Sequence, residues 1–199
     1  MTAYPRITVL GIGNPLKKDE GVGVRVAEEL LACYEFPEGV EVLDIGTMGM
    51  TVLHLFDECD FMVVADAVDG TGHEPGTVVL MSPEDVAPNQ VMHSLHDMRF
   101  ADVLRMAQLV GYEVRAIVVG VQIADMWGDA EIGLTPAVQA AIPQAVEAVL
   151  GLLAEQGVTP TPRPVRLEQD AALRSLTPRP VNPGGNDSTG AATPGRTGH

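Results

Sequence analysis

The sequence of 199 residues has few cysteines, few aromatic residues and few basic residues. It holds 2 Cys, 4% aromatic residues, and 12 Lys and Arg against 27 Asp and Glu, which gives a formal net charge of -15. Cys33 and Cys59 lack C-x-x-C spacing, so we predict reduced thiols rather than a disulfide. The shortage of basic residues argues against nucleic acid or an anionic membrane surface as partners, because both require a positive field.

Long hydrophobic runs are also absent. No apolar run reaches the roughly 18 residues of a transmembrane helix, and the N-terminus lacks a basic region ahead of a long apolar stretch. We therefore predict a cytoplasmic protein without a membrane partner, and we expect a monomer. The hydrophobic content of 46% is nevertheless enough to fill the core of one globular domain.

The composition changes along the chain. Residues 158–199 hold 7 of the 15 prolines, 5 arginines and only 3 acidic residues. Residues 1–157 therefore carry 7 basic and 24 acidic residues, a formal charge of -17. The C-terminal stretch has almost no periodic apolar pattern, so it cannot bury enough surface to offset its ordering entropy. We predict an α/β domain over residues 1–157 and a Pro-rich, disordered tail over residues 158–199.

Short runs rich in Val and Ile alternate with longer amphipathic segments, which is typical of an α/β protein. The chain between Val68 and Gly76 is too short for a helical crossover, so we expect the following strand to run antiparallel to the preceding one. We predict a three-layer α/β/α fold whose twisted, mostly parallel five-stranded sheet carries one antiparallel strand. The predicted strands are Ile7–Gly11, Val40–Ile45, Phe61–Ala67, Thr77–Met81 and Val114–Val121, and the predicted helices are Gly21–Cys33, Met50–Phe56, Leu95–Val110 and Pro136–Gln156.

Candidate functional residues follow the strands, because open α/β sheets bind ligands at the carboxyl ends of parallel strands. The first strand ends in the turn GIGNPLKKDEGVG with Glu20, the third ends at Asp66 in VVADAVDG, and VMHSLHDMRF opens a later helix. Two carboxylates and an imidazole form a ligand set suited to a divalent first-row metal. Spacing does not choose between His93 and His96. Glu20, Asp66 and His96 also have structural interpretations, as a helix-terminal charge, a turn cap and a partly buried helix residue.

Other chemistries fit the sequence less well. A dinucleotide fingerprint needs a third glycine where the chain has Leu16, and the DE pair of the turn lies where a pyrophosphate requires positive surroundings. Asp44 and Asp69 supply further carboxylates, but the paired Asp-Thr/Ser-Gly loops of the usual aspartic proteases are missing. Ser94 does not lie in a G-x-S-x-G elbow, so a serine nucleophile is poorly supported.

The ordered motifs GIGNPLKKDEGVG, DIGTMG, VVADAVDG and SLH resemble those of the hydrogenase maturation proteases over roughly residues 5–155. Members of this family are endopeptidases that trim the C-terminal extension from the large subunit of [NiFe] hydrogenases. The resemblance implies a mixed sheet flanked by helices and a site in which a glutamate, an aspartate and a histidine bind metal. Matched motif by motif, these residues are Glu20, Asp66 and His96, which selects His96 over His93.

The resemblance therefore implies a metal-recognising, aspartic-type endopeptidase that removes the C-terminal extension of a nickel-loaded [NiFe] hydrogenase large-subunit precursor. Glu20, Asp66 and His96 are the predicted catalytic and metal-binding residues. We expect nickel to arrive with the precursor rather than to be bound permanently. The alternative from another class is a non-catalytic nickel-binding chaperone or checkpoint protein, which would use the same ligands to sense the loaded subunit without cutting it.

Overall fold

The computed structural model describes residues 4–47, 49–57, 59–83, 85, 100–124 and 132–168. Within them the strands and α-helices are β1 (Ile7–Ile12), α1 (Val22–Cys33), β2 (Tyr34–Glu35), β3 (Val40–Gly46), β4 (Phe61–Val68), β5 (Val78–Met81), α2 (Phe100–Leu109), β6 (Arg115–Gln122), α3 (Pro136–Glu155) and β7 (Thr161–Pro162). Two 3-10 helices, Lys18–Gly21 and Gly49–Phe56, lie before α1 and between β3 and β4. The predicted bounds agree with these to within one residue, except that the predicted start of α2 at Leu95 lies outside the described residues.

The main sheet has five strands in the spatial order β3-β1-β4-β6-β5. β1 pairs in parallel with both β3 and β4, β4 pairs in parallel with β6, and β5 pairs antiparallel with β6. The predicted mixed sheet is confirmed. β5 runs in the predicted direction, but its neighbour is β6 rather than β4. The reason is that β6 is largely buried, as a central strand must be, whereas β5 is short and partly exposed, which suits an edge.

The sheet carries one hydrophobic cluster on each face, which confirms the three layers. Alternating side chains send Val9 and Val63 to one face and Leu10 and Val64 to the other. α1 and α3 cover the first face, while α2 and the 3-10 helix Gly49–Phe56 cover the second. The chain runs from β1 outward to β3 and then returns across the sheet to β4 and β6. Because the direction of winding reverses, the connecting helices lie on opposite faces of the sheet.

Among the described residues, one helix, α3, is long and apolar enough to cross a membrane by length and composition, with a mean hydropathy of 1.5. Its buried side chains recur at helical spacing along one face, and they pack into the same cluster as those of α1. These residues are Val138, Ala141, Ile142, Ala145, Val146, Val149, Leu152 and Leu153. We interpret α3 as a core helix of the α/β domain.

Residues 158–168 belong to the predicted disordered tail, yet they pack against the C-terminal end of α1. β7 pairs antiparallel with β2. The Arg163 N–H donates to the carbonyl of Cys33 at 2.8 Å, and its Nε donates to the carbonyl of Leu31 at 3.1 Å. The structure corrects the expectation of disorder for these residues, because Val158 is buried in the cluster of α1 and α3 and open carbonyls at the end of α1 accept hydrogen bonds from Arg163 and Leu167. Residues 169–199 lie outside the described residues, and the division into a domain and a tail stays a prediction.

Candidate active site

The carboxyl ends of β1 and β4 separate at the centre of the sheet. Pairing between the two strands ends at Gly11 and Ala65, and β1 then shifts register so that Ile12 pairs with Gly46 of β3. The winding direction of the chain reverses between these strands, and such switch points are where open α/β sheets bind ligands. Asp66 is the first residue of β4 beyond this pairing, so it lies at the opening.

Two glycines let the loop after β1 fold back against the sheet. A Cβ on Gly23, in the first turn of α1, would lie 2.2 Å from the carbonyl oxygens of both Ile12 and Ala65. Gly13 has a φ of +141°, and a Cβ there would lie 1.8 Å from the carbonyl oxygen of Glu20. Only glycine permits these approaches. The turn that carries Glu20 therefore lies directly against the ends of β1 and β4.

The Asp66 carboxyl group is partly buried, and its pKa is raised. Burial raises its pKa from 3.8 to about 7, against the opposing effect of the Ala67 N–H, which donates to Oδ1 at 2.8 Å. The charge of Glu20 raises the pKa further. Strand alternation places Asp66 on the face of Met62 and Val64, the side of the sheet that α2 covers. A carboxyl group with these properties is typical of a functional site.

Glu20 is the second carboxyl group at this opening. Its side chain is 19% exposed, and its Oε1 lies 3.5 Å from Nζ of Lys17. Burial raises the pKa of Glu20 above its usual range, while the Lys17 ammonium acts in the opposite direction. Because the charge of Glu20 acts on Asp66, the two predicted carboxylates share one electrostatic environment, as their common position at the sheet edge predicts.

Asp44, a third carboxyl group, lies near the end of β3 and stabilises the turn beside the site. Its Oδ1 accepts a hydrogen bond from the Gly46 N–H at 2.8 Å, and the Gly46 carbonyl accepts one from the Gly13 N–H at 3.0 Å. Burial raises the pKa of Asp44, and the charge of Glu28 adds to this effect. The contacts of Asp44 therefore hold the turn against which the loop after β1 rests.

Sequence reasoning missed the role of Asp19. Asp19 is 5% exposed, and its two carboxylate oxygens accept hydrogen bonds from the Thr135 N–H at 2.7 Å and the Thr135 hydroxyl at 3.0 Å. Thr135 is the N-cap residue of α3, so Asp19 ties the start of that helix to the loop that carries Glu20. The Thr-Pro start of α3 indicates open backbone donors, but it does not identify an acceptor so distant in sequence.

The predicted histidine ligand, His96, lies outside the described residues, as do His93 and Ser94. In the part of the chain that the structure describes, no group of three His, Cys, Asp or Glu side chains is placed to hold a metal ion. The structure thus brings Glu20 and Asp66 together, and the assignment of His96 stays a prediction. Two carboxylates alone form an incomplete set, which would need donors from elsewhere to bind a first-row metal.

Comparisons with known proteins agree on one family. A family model described as hydrogenase maturation protease matches residues 24–152. The hydrogenase 2 maturation protease of Escherichia coli (strain K12) is 40% identical over 162 residues, covering 79% of this chain and 96% of that protein. The hydrogenase expression/formation protein HupD of Rhizobium leguminosarum bv. viciae is 39% identical over 165 residues, covering 80% of each chain.

A solved structure gives the same result. The hydrogenase maturating endopeptidase HybD from E. coli superposes with a TM-score of 0.71 at 38% identity, covering 79% of this chain and 98% of that one. The segment that matches the family model includes Asp66 and His96, whereas Glu20 precedes it. Shared sequence over most of the chain and a shared fold show that this protein is a peptidase belonging to the hydrogenase maturation protease family.

Proposed function

We propose that the protein is an endopeptidase that removes the C-terminal extension of a nickel-loaded [NiFe] hydrogenase large-subunit precursor. The observation that carries this proposal is the coupled pair of carboxyl groups, Glu20 and Asp66, at the switch point of the sheet. The membership of the chain in a family of maturation proteases supplies the class of substrate. We also retain the prediction of a cytoplasmic monomer, in which Cys33 and Cys59 are free thiols.

In this proposal Glu20, Asp66 and His96 recognise the nickel that the precursor carries. Carboxylate oxygens and an imidazole nitrogen are ligands that divalent first-row metals accept. A protonated carboxyl cannot ligate well, but a pKa of about 7 lets Asp66 release its proton at neutral pH when a cation approaches. The protein would then distinguish a loaded precursor from an empty one without holding a metal of its own.

Asp66 also has the properties of a general base. This is the role of the aspartate in the proposed aspartic-type peptidase. Its Oδ1 accepts from the Ala67 N–H, so Oδ2 would take a proton from the attacking water. The resulting hydroxide adds to the scissile carbonyl carbon, the C–N bond breaks, and the same proton passes to the leaving amine. A base with a pKa of about 7 suits proton transfer at neutral pH.

The mass of the precursor tests this proposal. We expect the wild-type protein to shorten nickel-loaded precursor and to leave nickel-free precursor intact. Glu20→Gln, Asp66→Asn and His96→Ala should each slow cleavage about 10²- to 10⁴-fold, because each removes a ligand or the base. Asp57→Asn, at an exposed position, and His93→Ala are the matched controls and should cleave normally. Full cleavage by all three site variants would contradict the site assignment.

The same experiment separates the alternative function. A chaperone or checkpoint protein would form a complex with the loaded precursor and leave its mass unchanged. If intact precursor is recovered in a nickel-dependent complex with the wild-type protein, the endopeptidase proposal is wrong and the checkpoint function replaces it.

The pH dependence of cleavage is a further test. Cleavage needs ionised Asp66, so the rate should rise with pH and level off above about 7, the pKa of that carboxyl. The residual activity of Asp66→Asn should lack this rise. A wild-type profile that is flat between pH 5 and pH 8 would exclude Asp66 as both ligand and base.

A further inference from the structure

The two lysines of the chain, Lys17 and Lys18, are adjacent and lie in the loop that carries Glu20. Every other basic residue is an arginine. Residues 1–157 carry a formal charge of -17, and the Lys17 ammonium group lies beside Glu20 at the edge of the proposed active site. Arg6 and Arg105 lie away from this loop, where they pair with acidic side chains near the start of β1 and on α2.

The geometry of the loop presents this pair at a fixed position. The Lys17 N–H donates to the Asn14 carbonyl and the Glu20 N–H donates to the Lys17 carbonyl, both at 3.0 Å. Lys18 has a φ of +44°, the positive value that L-residues avoid. The same loop is anchored to α3 through buried Asp19. An unfavourable backbone conformation held by surrounding contacts is a feature of functional segments.

The contact between Lys17 and Glu20 leaves the side chain of Lys17 partly exposed. Its Nζ lies 3.5 Å from Oε1 of Glu20, and its side chain remains 45% exposed. An ammonium group has three donors, so it can contact a second anion beside Glu20. If Glu20 turns to the metal of the precursor, Lys17 loses its partner and becomes fully available.

The charge pattern indicates what such a second anion would be. Glu20 and Asp66 lie at the opening and Asp44 lies near it at the end of β3, so negative charge disfavours an approaching anion except beside the lysines. A segment with a carboxylate would therefore bind in one orientation. The substrate segment in question is a C-terminal extension, which ends in an α-carboxylate and carries any acidic side chains of its own.

We propose that Lys17 and Lys18 bind a carboxylate of the precursor's C-terminal extension and so position its scissile bond at the site. This inference rests on the proposed endopeptidase function. The lysines act on substrate binding and orientation, and they take no part in the proton transfers.

Steady-state cleavage of nickel-loaded precursor tests the role of the lysines. Lys18→Gln should raise KM about 3- to 5-fold with kcat changed less than twofold, and Lys17→Gln/Lys18→Gln should raise KM about 10-fold or more. Lys18→Arg should restore KM, because it restores the charge. The differences should vanish at about 0.5 M salt, which screens the interaction. Arg6→Gln, which removes an equal charge near the start of β1, is the matched control and should leave KM unchanged.

Changes in the precursor identify which carboxylate binds. Replacing the acidic residues of the extension with amides removes side-chain carboxylates, while adding about ten Gly and Ser residues to its end moves the α-carboxylate away. One of the two changes should raise the wild-type KM to that of the double lysine variant, and should not raise the KM of that variant further. If both leave KM unchanged, the proposal is wrong.

The possible failures are distinguishable. If the wild-type protein does not cleave loaded precursor, the proposed function fails. If it cleaves and Lys18→Gln, folded by its thermal melt, keeps the wild-type KM and salt dependence, only the role of the lysines is overturned. A higher KM that Lys18→Arg does not restore would also overturn it, because a structural effect rather than charge would then be responsible.

Discussion

The two ends of β4 place the same residue type in different surroundings. Asp60, just before the strand, is 52% exposed, and its Oδ2 accepts from the Arg6 N–H at 2.8 Å and lies 3.6 Å from Nε of the same arginine. Asp66, at the carboxyl end, is partly buried, has Glu20 rather than a cation as its charged neighbour, and has a pKa of about 7. The contrast shows that the surroundings rather than the residue type matter, because burial beside a like charge raises the pKa of Asp66.

The largest expected effect is a change in the pH dependence of the free energy of unfolding when Asp66 is replaced. The folded state raises its pKa from 3.8 to about 7, so its stabilising contribution is complete below pH 4 and is lost as pH rises to about 7. Asp66→Asn removes the charge and keeps an oxygen that can accept from Ala67. The variant should match the wild type near pH 4 and exceed it by on the order of 2–4 kcal/mol at pH 8, as measured by urea unfolding.

Asp60→Asn is the matched control for that measurement. It makes the same substitution at a half-exposed position at the other end of β4, so a gain seen in both variants would not be due to the burial of Asp66. Parallel wild-type and Asp66→Asn stability curves from pH 4 to pH 8 would contradict the raised pKa.

The second prediction concerns Asp19, the buried acid behind the active-site loop. Asp19→Ala leaves the Thr135 N–H and hydroxyl without their acceptor and removes a negative charge near the start of α3. We expect a loss of about 2–3 kcal/mol in the free energy of unfolding. Thr135→Ser keeps both donors and should lose less than about 1 kcal/mol. Equal stability of Asp19→Ala and the wild type would mean that the contact does not stabilise the fold.

The third prediction concerns the backbone of Lys18. Its φ of +44° is unfavourable for any residue with a Cβ but not for glycine. Lys18→Gly should therefore raise the free energy of unfolding by about 0.5–1 kcal/mol, while Lys18→Gln, which keeps a Cβ, should not. If Lys18→Gly is less stable than Lys18→Gln in thermal unfolding, the loop does not store this strain.

The smallest effect is expected at the amino end of the sheet. The Arg6–Asp60 ion pair is half exposed on both sides, and such pairs contribute about 0–1 kcal/mol. A double-mutant cycle of Arg6→Gln and Asp60→Asn should give a coupling energy in that range that disappears in high salt. A coupling above about 2 kcal/mol would remove the contrast between the two ends of β4.

Local patterns were sufficient to predict the five strands of the main sheet, the described parts of the α-helices and the position of the two carboxylates, but not the short strands β2 and β7. β4 and β6 are strongly apolar, and the edge rule for parallel sheets then places the residues after β1 and β4 together. Glu20 lies in the turn that follows β1 and Asp66 lies near the carboxyl end of β4, so both could be predicted from the positions of the strands. The histidine could be chosen only through the resemblance, because a spacing of three residues carries no information about which imidazole enters a site.

Contacts between distant segments could not be predicted in the same way. The pairing of β5 depends on a competition with β6 for the central position. The Asp19–Thr135 contact joins a loop and a helix start through two oxygens. Arg163 binds the end of α1 through backbone groups, which leave no hydrophobic pattern in the sequence. Each of these contacts depends on which of several possible partners lies nearest in the folded structure, and the local sequence does not specify that partner.

The link between Asp19 and Thr135 has a consequence for biosynthesis. It joins residues 116 positions apart, and the helix that begins at Thr135 ends only at Glu155. A nascent chain that has not yet reached Thr135 lacks the partner of Asp19, so the loop that carries Glu20 is not yet tied to α3. The loop that carries Glu20 therefore gains its anchor to α3 only after the start of that helix has been synthesised.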